Sequence, residues 1–397
     1  MADTQGWTAP GWEGVRDAFQ ANLDGTVEVG AGFSAYHRGQ KVVDLWGGIK
    51  DEDAGTPWEE DTLQLVFSTT KGATAIVANQ LAQEGRLDVN APVITYWPEF
   101  GQAGKETIPV SYLLSHQAGL AWVDDPMSLD DALAWEPVIR ALEKQAPSWV
   151  PGTEHGYHAT TYGWLVGEVV KRITGKSLGT AFHDQVAAPL DLDFWIGLPE
   201  SEEHRVSTLI SMIPKGADKP LENGEPNPIA EMMKAFMGPD TPLGKALYAP
   251  GGALSDQDVW NTRAVHAAEI PAANGITDAR SLARMYGAVV SEVDGVRLLT
   301  PEQLKEATTQ LTEGPNNILM GMEIEFGLGF MLNTGMIGQI GLGGPNSFGH
   351  FGAGGSLGWG DPDAELGMGY VMNKMDIGLT GDTRSFGLVT ACYDAIK

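Results

Sequence analysis

A serine and a lysine one helical turn apart, Ser68 and Lys71, stand where the apolar run "LQLVF" gives way to "STTKGATAIVANQLAQEG". On a helix, residues at this spacing share a face, so a lysine Nζ approaches the serine Oγ from the same side. A serine hydroxyl is a weak nucleophile until a base takes its proton. A lysine can be that base when burial and neighbouring groups lower its pKa. The positive end of a helix also favours the alkoxide that develops. The plainer reading is an N-cap serine followed by a solvated first-turn lysine. The tetrapeptide alone favours that reading, because S-x-x-K arises readily by chance. Ser68 does, however, head the one S-x-x-K in the chain.

Ser356 competes for the same role. It lies in "GGSLG", which fits the G-x-S-x-G nucleophile elbow. An elbow needs a helix directly after its serine, and "GWGDPDAE" cannot begin one there. The elbow's histidine also follows its serine in the chain, yet the last histidine here is His350. Ser356 therefore reads as a strand residue beside a glycine-rich turn.

Three further segments change the weight of the Ser68 pair. Tyr157 in "EHGYHATTYG" precedes a helical pattern, "FGHFGAGGS" carries His350-Phe351-Gly352, and residues 113–120 read "LLSHQAGL". With S-T-T-K, and in this order and spacing, the chain resembles the serine β-lactamase and penicillin-binding-protein superfamily. It is most similar to the class C-like branch that includes the family VIII carboxylesterases. Tyr157-His158-Ala159 stands in the place of the Y-x-N motif and His350-Phe351-Gly352 in the place of K-T-G. The resemblance implies that Ser68 forms the acyl-enzyme and that Lys71 and Tyr157 share the proton work, with either as the resting base. A tyrosinate held between cations is one way this could operate, since nearby positive charge lowers a phenol's pKa. The oxyanion hole would be the backbone N–H groups of Ser68 and Ala353. His350, Gly352, Ala159 and Trp359 would contact substrate. No cofactor and no metal are implied.

Two departures bear on the substrate. Ala159 has no hydrogen-bonding side chain where the family's β-lactamases and peptidases hold an amide. His350 replaces a lysine that helps bind a carboxylate, and histidine is mostly neutral near pH 7. Both point to neutral, short-chain esters rather than anionic amides. The competing expectations are a β-lactamase or D-alanyl-D-alanine peptidase on the same site, or a non-catalytic binding protein. His155 and His158 are three apart, but no third ligand stands near them, and they read as support around Tyr157 or as surface residues. His116 reads as structural, bonding a backbone carbonyl. For Trp122, Trp149 and Trp359, core packing is the default and an acyl-pocket wall the alternative.

Elements must hold these residues together. Residues 26–48 read as two strands around a turn at "HRGQK", and "DTLQLVF" as a third. The spacing predicts a helix over 68–84, stopped by Gly85. Helical patterns follow at 109–116, 128–145, 160–174 and 277–291. Residues 211–260, rich in Pro, Gly and Met, read as an irregular excursion or flap. Strand signal returns in "EFGLGFML", "SFGHFG", "GSLGWGDP" and "ELGMGYVMNK", and "DTRSFGLVTACYDAI" closes the chain as a helix. The economical arrangement is an α+β fold of β-lactamase type: one antiparallel sheet from both termini, helices on its faces and a mostly helical insertion. Residues 1–90 and 275–397 would form the α/β domain, and 91–274 the helical one.

The 397 residues, 43 % of them hydrophobic, suffice for such a core. A net charge of −27 argues against nucleic acid as a partner and for a solvated surface. Cys392 is the one cysteine, so there is no intrachain disulfide and no cysteine zinc cluster. No apolar stretch is long enough to span a membrane, and no signal-peptide pattern opens the chain. The expected compartment is the cytoplasm and the expected partner a small-molecule ester.

Overall fold

The structure, a computed structural model, describes residues 3–212, 225, 227–376 and 381–397. Among them, eight strands form one sheet: β1 (Gln5–Thr8), β2 (Gly30–His37), β3 (Gln40–Asp51), β4 (Thr56–Pro57), β5 (Met331–Leu332), β6 (Phe348–Phe351), β7 (Leu357–Asp361) and β8 (Leu366–Met372). The spatial order is β1-β3-β2-β8-β7-β6-β5, with β4 paired to β3. Every pairing is antiparallel. The two ends of the chain meet at β2–β8, where Phe33 faces Tyr370. This is the α+β sheet expected from both termini. Arg38 and Gly39, with φ of +51° and +74°, make the two-residue turn between β2 and β3. Positive φ at both positions is what the twist of a tight hairpin demands.

Both faces of the sheet are covered, so β2 reads as a near-continuous apolar run rather than an alternating one. On one face lies α4 (Ala279–Val290), N-capped by Asp278 through the N–H of Ser281. A Cβ on Gly369 would fall 2.4 Å from the Ala279 carbonyl oxygen, so only glycine lets β8 and α4 come this close. On the other face α1 (Glu13–Asp24) presents Val15, Phe19 and Leu23, and Gly47 of β3 packs under Phe19 and Leu23. The C-terminal helix α5 (Thr383–Ala395) packs beside α1. Behind the site, α2 (Thr70–Gln83) is almost wholly buried and packs on α3 (Thr161–Thr174).

Several local expectations change. Strand β1 and helix α1 precede the first element expected. The apolar positions of α1 recur only every fourth residue among polar ones, a sparse signal. "DTLQLVF" yields only the pair Gln64–Leu65, outside the main sheet. It joins Ile276–Thr277, which also pairs with Phe194–Trp195. "EFGLGFML" yields only β5, because Gly329 turns at φ +89° and the Gly327 N–H closes onto the Phe330 carbonyl. The helix expected over 128–145 breaks into Leu129–Leu133 and Glu136–Lys144 at Trp135, whose φ is +62°. Residues 211–260 are not irregular throughout: helices occupy Pro228–Met237 and Pro242–Leu247, and a 3₁₀ turn Gln257–Asn261. The rest of that excursion, 213–224 and 226, lies outside the described residues.

Candidate active site

The turn carrying Ser68 is strained and clamped. Phe67 has φ +43°, an outlier for a bulky side chain, and opens a 3₁₀ turn, Phe67–Thr69, that runs directly into α2. Strain of order 1–3 kcal/mol persists only where the surroundings hold it. Here the Val66 N–H donates to the Gly275 carbonyl at 2.9 Å, and the Gly275 N–H donates to Thr70 Oγ1 at 2.8 Å. The Phe67 ring meets the Trp260 ring edge-on at 5.0 Å. Ser68, like Phe67, remains half-buried, while Val66, Thr69 and Thr70 are enclosed.

Lys71 is completely buried. Its Nζ lies 2.9 Å from Ser68 Oγ, 2.6 Å from the Ala159 carbonyl and 3.0 Å from the Ala272 carbonyl. All three partners are neutral, and burial holds the ammonium well below the ordinary lysine pKa. A neutral amine has two hydrogens and one lone pair. Two carbonyls take the hydrogens, which leaves the lone pair for the Ser68 hydroxyl. Tyr157, also buried, presents its ring rather than an anion: Nζ stands 4.8 Å from the ring centroid. Burial pushes the phenol above its ordinary value, opposed by a hydrogen bond with Ser68. Burial thus works against a tyrosinate, one of the two bases that the sequence leaves open. The same burial works against the ammonium form of Lys71.

Other groups around Tyr157 are neutral too. The His116 ring lies 4.9 Å from that of Tyr157 and the Phe326 ring stacks at 6.1 Å. His116 Nδ1 accepts the His158 N–H at 3.1 Å, the reverse of the carbonyl contact expected. His158 Nε2 accepts the Leu120 N–H at 3.0 Å, and Nδ1 lies 2.7 Å from the Gly156 carbonyl. The backbone thus occupies both nitrogens. Burial lowers His158 to about 4 and His116 well below the histidine range. Burial likewise lowers His155.

The K-T-G counterpart lies at the end of β6. His350 is enclosed, with its ring 6.0 Å from that of Tyr157. Its Nδ1 lies 2.7 Å from the Phe351 carbonyl, while Nε2 meets no partner among the described residues. Burial, then the nearby Lys71, lowers His350 to about 3, so it is neutral. Gly352 begins the turn to β7. A Cβ there would fall 2.1 Å from Ser356 Oγ and 2.2 Å from the Val66 carbonyl, so only glycine lets this turn lie against the Ser68 segment. Ala353 is half-buried beside it. Ser356 is a strut: Oγ donates to the Val66 carbonyl at 2.8 Å and lies 3.0 Å from Thr69 Oγ1. Ala159 contributes its carbonyl to Lys71 rather than a surface.

Trp359 is a correction among the site residues. It has no exposed surface and stacks on Phe351 at 5.4 Å inside the sheet, so it belongs to the core. Trp122 and Trp149 are half-buried, and Trp149 meets His158 edge-on at 5.8 Å.

Two contributors escaped the sequence analysis. Asn316 accepts the Tyr157 N–H on Oδ1 at 3.0 Å and so aims the tyrosine segment. Residues 270–275, "IPAANG", pass under the start of α2. Asn274 ties this loop through the carbonyls of Val265 and Ala268, and Thr74 Oγ1 donates to Pro271. The visible signal was an Asn-Gly pair just before the helix cap at Asp278.

Comparison with known proteins agrees with this geometry. The beta-lactamase family model matches residues 15–385. The chain is 35 % identical over 367 residues to the esterase/beta-lactamase LipL of Mycobacterium tuberculosis (strain ATCC 25618 / H37Rv), covering 90 % of this chain and 80 % of that one. A crystal structure of a family VIII carboxylesterase superposes with a TM-score of 0.86 at 38 % identity, over 99 % of both chains. A penicillin-binding protein homologue from Caulobacter crescentus gives 0.85 at 36 % identity, over 99 % of this chain and 100 % of that one. A family match across nearly the whole chain, on a Ser68–Lys71–Tyr157 cluster, makes this protein a member of the beta-lactamase family.

Proposed function

We propose that this protein is a serine carboxylesterase that hydrolyses neutral, short-chain acyl esters through an acyl-enzyme on Ser68. The observation that carries the reading is the buried Lys71, its Nζ 2.9 Å from Ser68 Oγ and its charged form disfavoured by burial. Lys71 takes the hydroxyl proton as Ser68 Oγ attacks the ester carbonyl. The tetrahedral oxyanion forms against the backbone N–H groups of Ser68 and Ala353, donors each able to supply a few kcal/mol. Tyr157, protonated and hydrogen-bonded to Ser68, passes a proton to the departing alkoxide and is resupplied from Lys71. Water then attacks the acyl-enzyme by the reverse of these transfers, regenerating Ser68 and releasing the acid.

Neutral esters suit this site because burial disfavours the charged form of each of its titratable groups: Lys71, Tyr157, His116, His158 and His350. A substrate carboxylate would find no favoured cation among them. The names of the relatives, esterase and family VIII carboxylesterase, support the same reading. We take residues 1–90 with 275–397 as the α/β unit and 91–274 as the helical unit, with the site at their junction. Lys71 and Ser68 come from the first, Tyr157 and the two lysine-binding carbonyls from the second.

The test combines labelling with rates. A fluorophosphonate should modify Ser68 by mass spectrometry, and Ser68→Ala should abolish ester hydrolysis while the protein stays folded. The wild type should cleave p-nitrophenyl butyrate at least about 10³-fold more efficiently than a chromogenic cephalosporin, a barrier difference of about 4 kcal/mol. Comparable turnover of the two would favour β-lactam hydrolysis, the reading that the other half of one relative's name suggests.

A further inference from the structure

The turn 352–356 that presents Ala353 contains glycine at 352, 354 and 355, so its own backbone supplies little stiffness. Gly354 and Gly355 stand at φ +85° and +127°. An oxyanion donor is effective only when it is already in place as the charge develops. One end of the turn is tied by the Gly352 N–H to the Ser356 carbonyl at 2.8 Å. The other end is held from outside the sheet. Arg384, in the first turn of α5, donates from Nη2 to the Gly354 carbonyl at 2.7 Å, and the same carbonyl accepts the Asp376 N–H at 3.0 Å. Arg384 is itself locked. Nε donates to Asp382 Oδ2 at 3.0 Å, Nη2 to the same oxygen at 2.5 Å, and Nη1 to Glu28 Oε1 at 3.3 Å and the Lys374 carbonyl at 2.9 Å. Glu28 is held in turn by the Tyr370 hydroxyl. Glu28, Asp382 and Arg384 are all buried. Gly355 is pressed onto the cluster, since a Cβ there would fall 2.3 Å from Asp382 Oδ2.

Buried ion clusters are poor stabilising devices, because desolvation of the charges offsets much of their attraction. They are stiff and directional, however, since each charge-assisted bond fixes a geometry. Here the cluster joins the segment before β2, the end of β8 and the start of α5 at a single carbonyl, one residue beyond the N–H proposed to bind the oxyanion.

We infer that Arg384 is a positioning residue for catalysis: through the Gly354 carbonyl it holds the glycine-rich turn so that the Ala353 N–H meets the developing oxyanion. The inference rests on the esterase reading of Ser68 and Ala353.

Arg384→Met and Arg384→Lys in the full-length protein test it, with p-nitrophenyl butyrate as substrate and phenylboronic acid as a tetrahedral mimic on Ser68. Rates are expressed per site labelled to completion by a fluorophosphonate. For Arg384→Met, kcat per labelled site should fall by about 10–10²-fold, the size of a misplaced rather than a missing donor. KM should stay within about 3-fold, the pattern of an interaction made mainly in the transition state. The boronate inhibition constant should weaken by a factor similar to that in kcat. Arg384→Lys, which can still donate to Gly354, should recover part of both. Gly355→Ala keeps the Arg384 side chain but drives the turn off both Asp382 Oδ2 and Arg384 Nη2, where a Cβ would fall at 2.3 and 2.9 Å, so it should show the same signature; it also serves if Arg384→Met does not fold. Wild-type kcat per site and boronate affinity in Arg384→Met, or in Gly355→Ala where only that variant folds, would overturn the inference. Ser68→Ala runs in parallel. If it is dead while those values hold, only the positioning role falls; if it is active, the reading of the site falls with it.

Discussion

At the scale of single residues, the proton inventory of the site sets its pH behaviour. Attack needs Lys71 uncharged, and its pKa is held well below 10.5 by burial. kcat/KM should therefore be high at neutral pH and decline on the acid side as Lys71 gains a proton. The Tyr157 phenol is pushed above 10, so no alkaline decline should trace to it. A decline on that side that disappears in Tyr157→Phe would mean that an ionised phenol does the work instead. The same shift has a cost in stability. In the unfolded chain Lys71 binds a proton below its ordinary pKa of 10.5, whereas in the folded chain burial moves that titration to lower pH. The unfolded state thus binds more protons in that window, and stability rises with pH by about 1.4 kcal/mol per unit for this one group. Lys71→Met should abolish turnover and flatten that rise, as read from denaturant midpoints between neutral pH and pH about 10. An unchanged slope would show that the folded lysine is charged.

At the scale of elements, α2 matters more for what it packs against than for its helix propensity. It is buried on nearly all sides and has little amphipathic character. Gly72, next to Lys71, leaves room for Tyr286 of α4: a Cβ at 72 would fall 2.1 Å from the Tyr286 hydroxyl oxygen. That hydroxyl is buried and has no partner among the described residues. Gly72→Ala should gain about 1 kcal/mol of helix propensity. It should lose more through overpacking, for a net cost of about 1–2 kcal/mol. Tyr286→Phe removes the colliding oxygen and relieves an unpaired buried polar atom. It should be neutral or stabilising alone and should rescue Gly72→Ala. Chemical denaturation of the four proteins in the cycle measures the coupling, and additive effects would contradict the contact.

At the scale of the whole molecule, the charge of −27 surrounds a site where burial disfavours a charged lysine. Its field repels anions over distances set by the ionic strength, about 30 Å at 0.01 M and 8 Å at 0.15 M. An anionic ester such as p-nitrophenyl succinate should react with lower kcat/KM than p-nitrophenyl butyrate in dilute buffer. Added sodium chloride should narrow the gap several-fold by screening. A ratio insensitive to salt would assign the preference to local contacts alone. Among the described residues no helix is long and apolar enough to cross a membrane.

Local order was largely legible in the sequence. The spacing of Ser68 and Lys71 placed both on one turn, the apolar runs at 26–48 and beyond 346 marked the strands that close the sheet, and helical patterns marked α2, α3, α4 and α5, with Gly85 as the stop of α2. Each of these depends on neighbours a few residues away, which composition and period encode. The elements that failed were short or overridden: β1 and α1 at the N-terminus, the break at Trp135, and the strands cut to two residues at 64–65 and 331–332. Charge state was legible only as a tendency, in the expectation that His350 is neutral; how far each group is shifted was not. Whether Lys71 is an ammonium or an amine depends on carbonyls 88 and 201 residues away and on complete exclusion from water. The same holds for the neutral histidines, for Trp359 lying in the core, and for the hold of Arg384 on Gly354 from 30 residues beyond. Sequence period specifies which face of an element a residue occupies. Only the packing of distant segments specifies the dielectric, the partners and the distances there, and those decide which groups can move a proton.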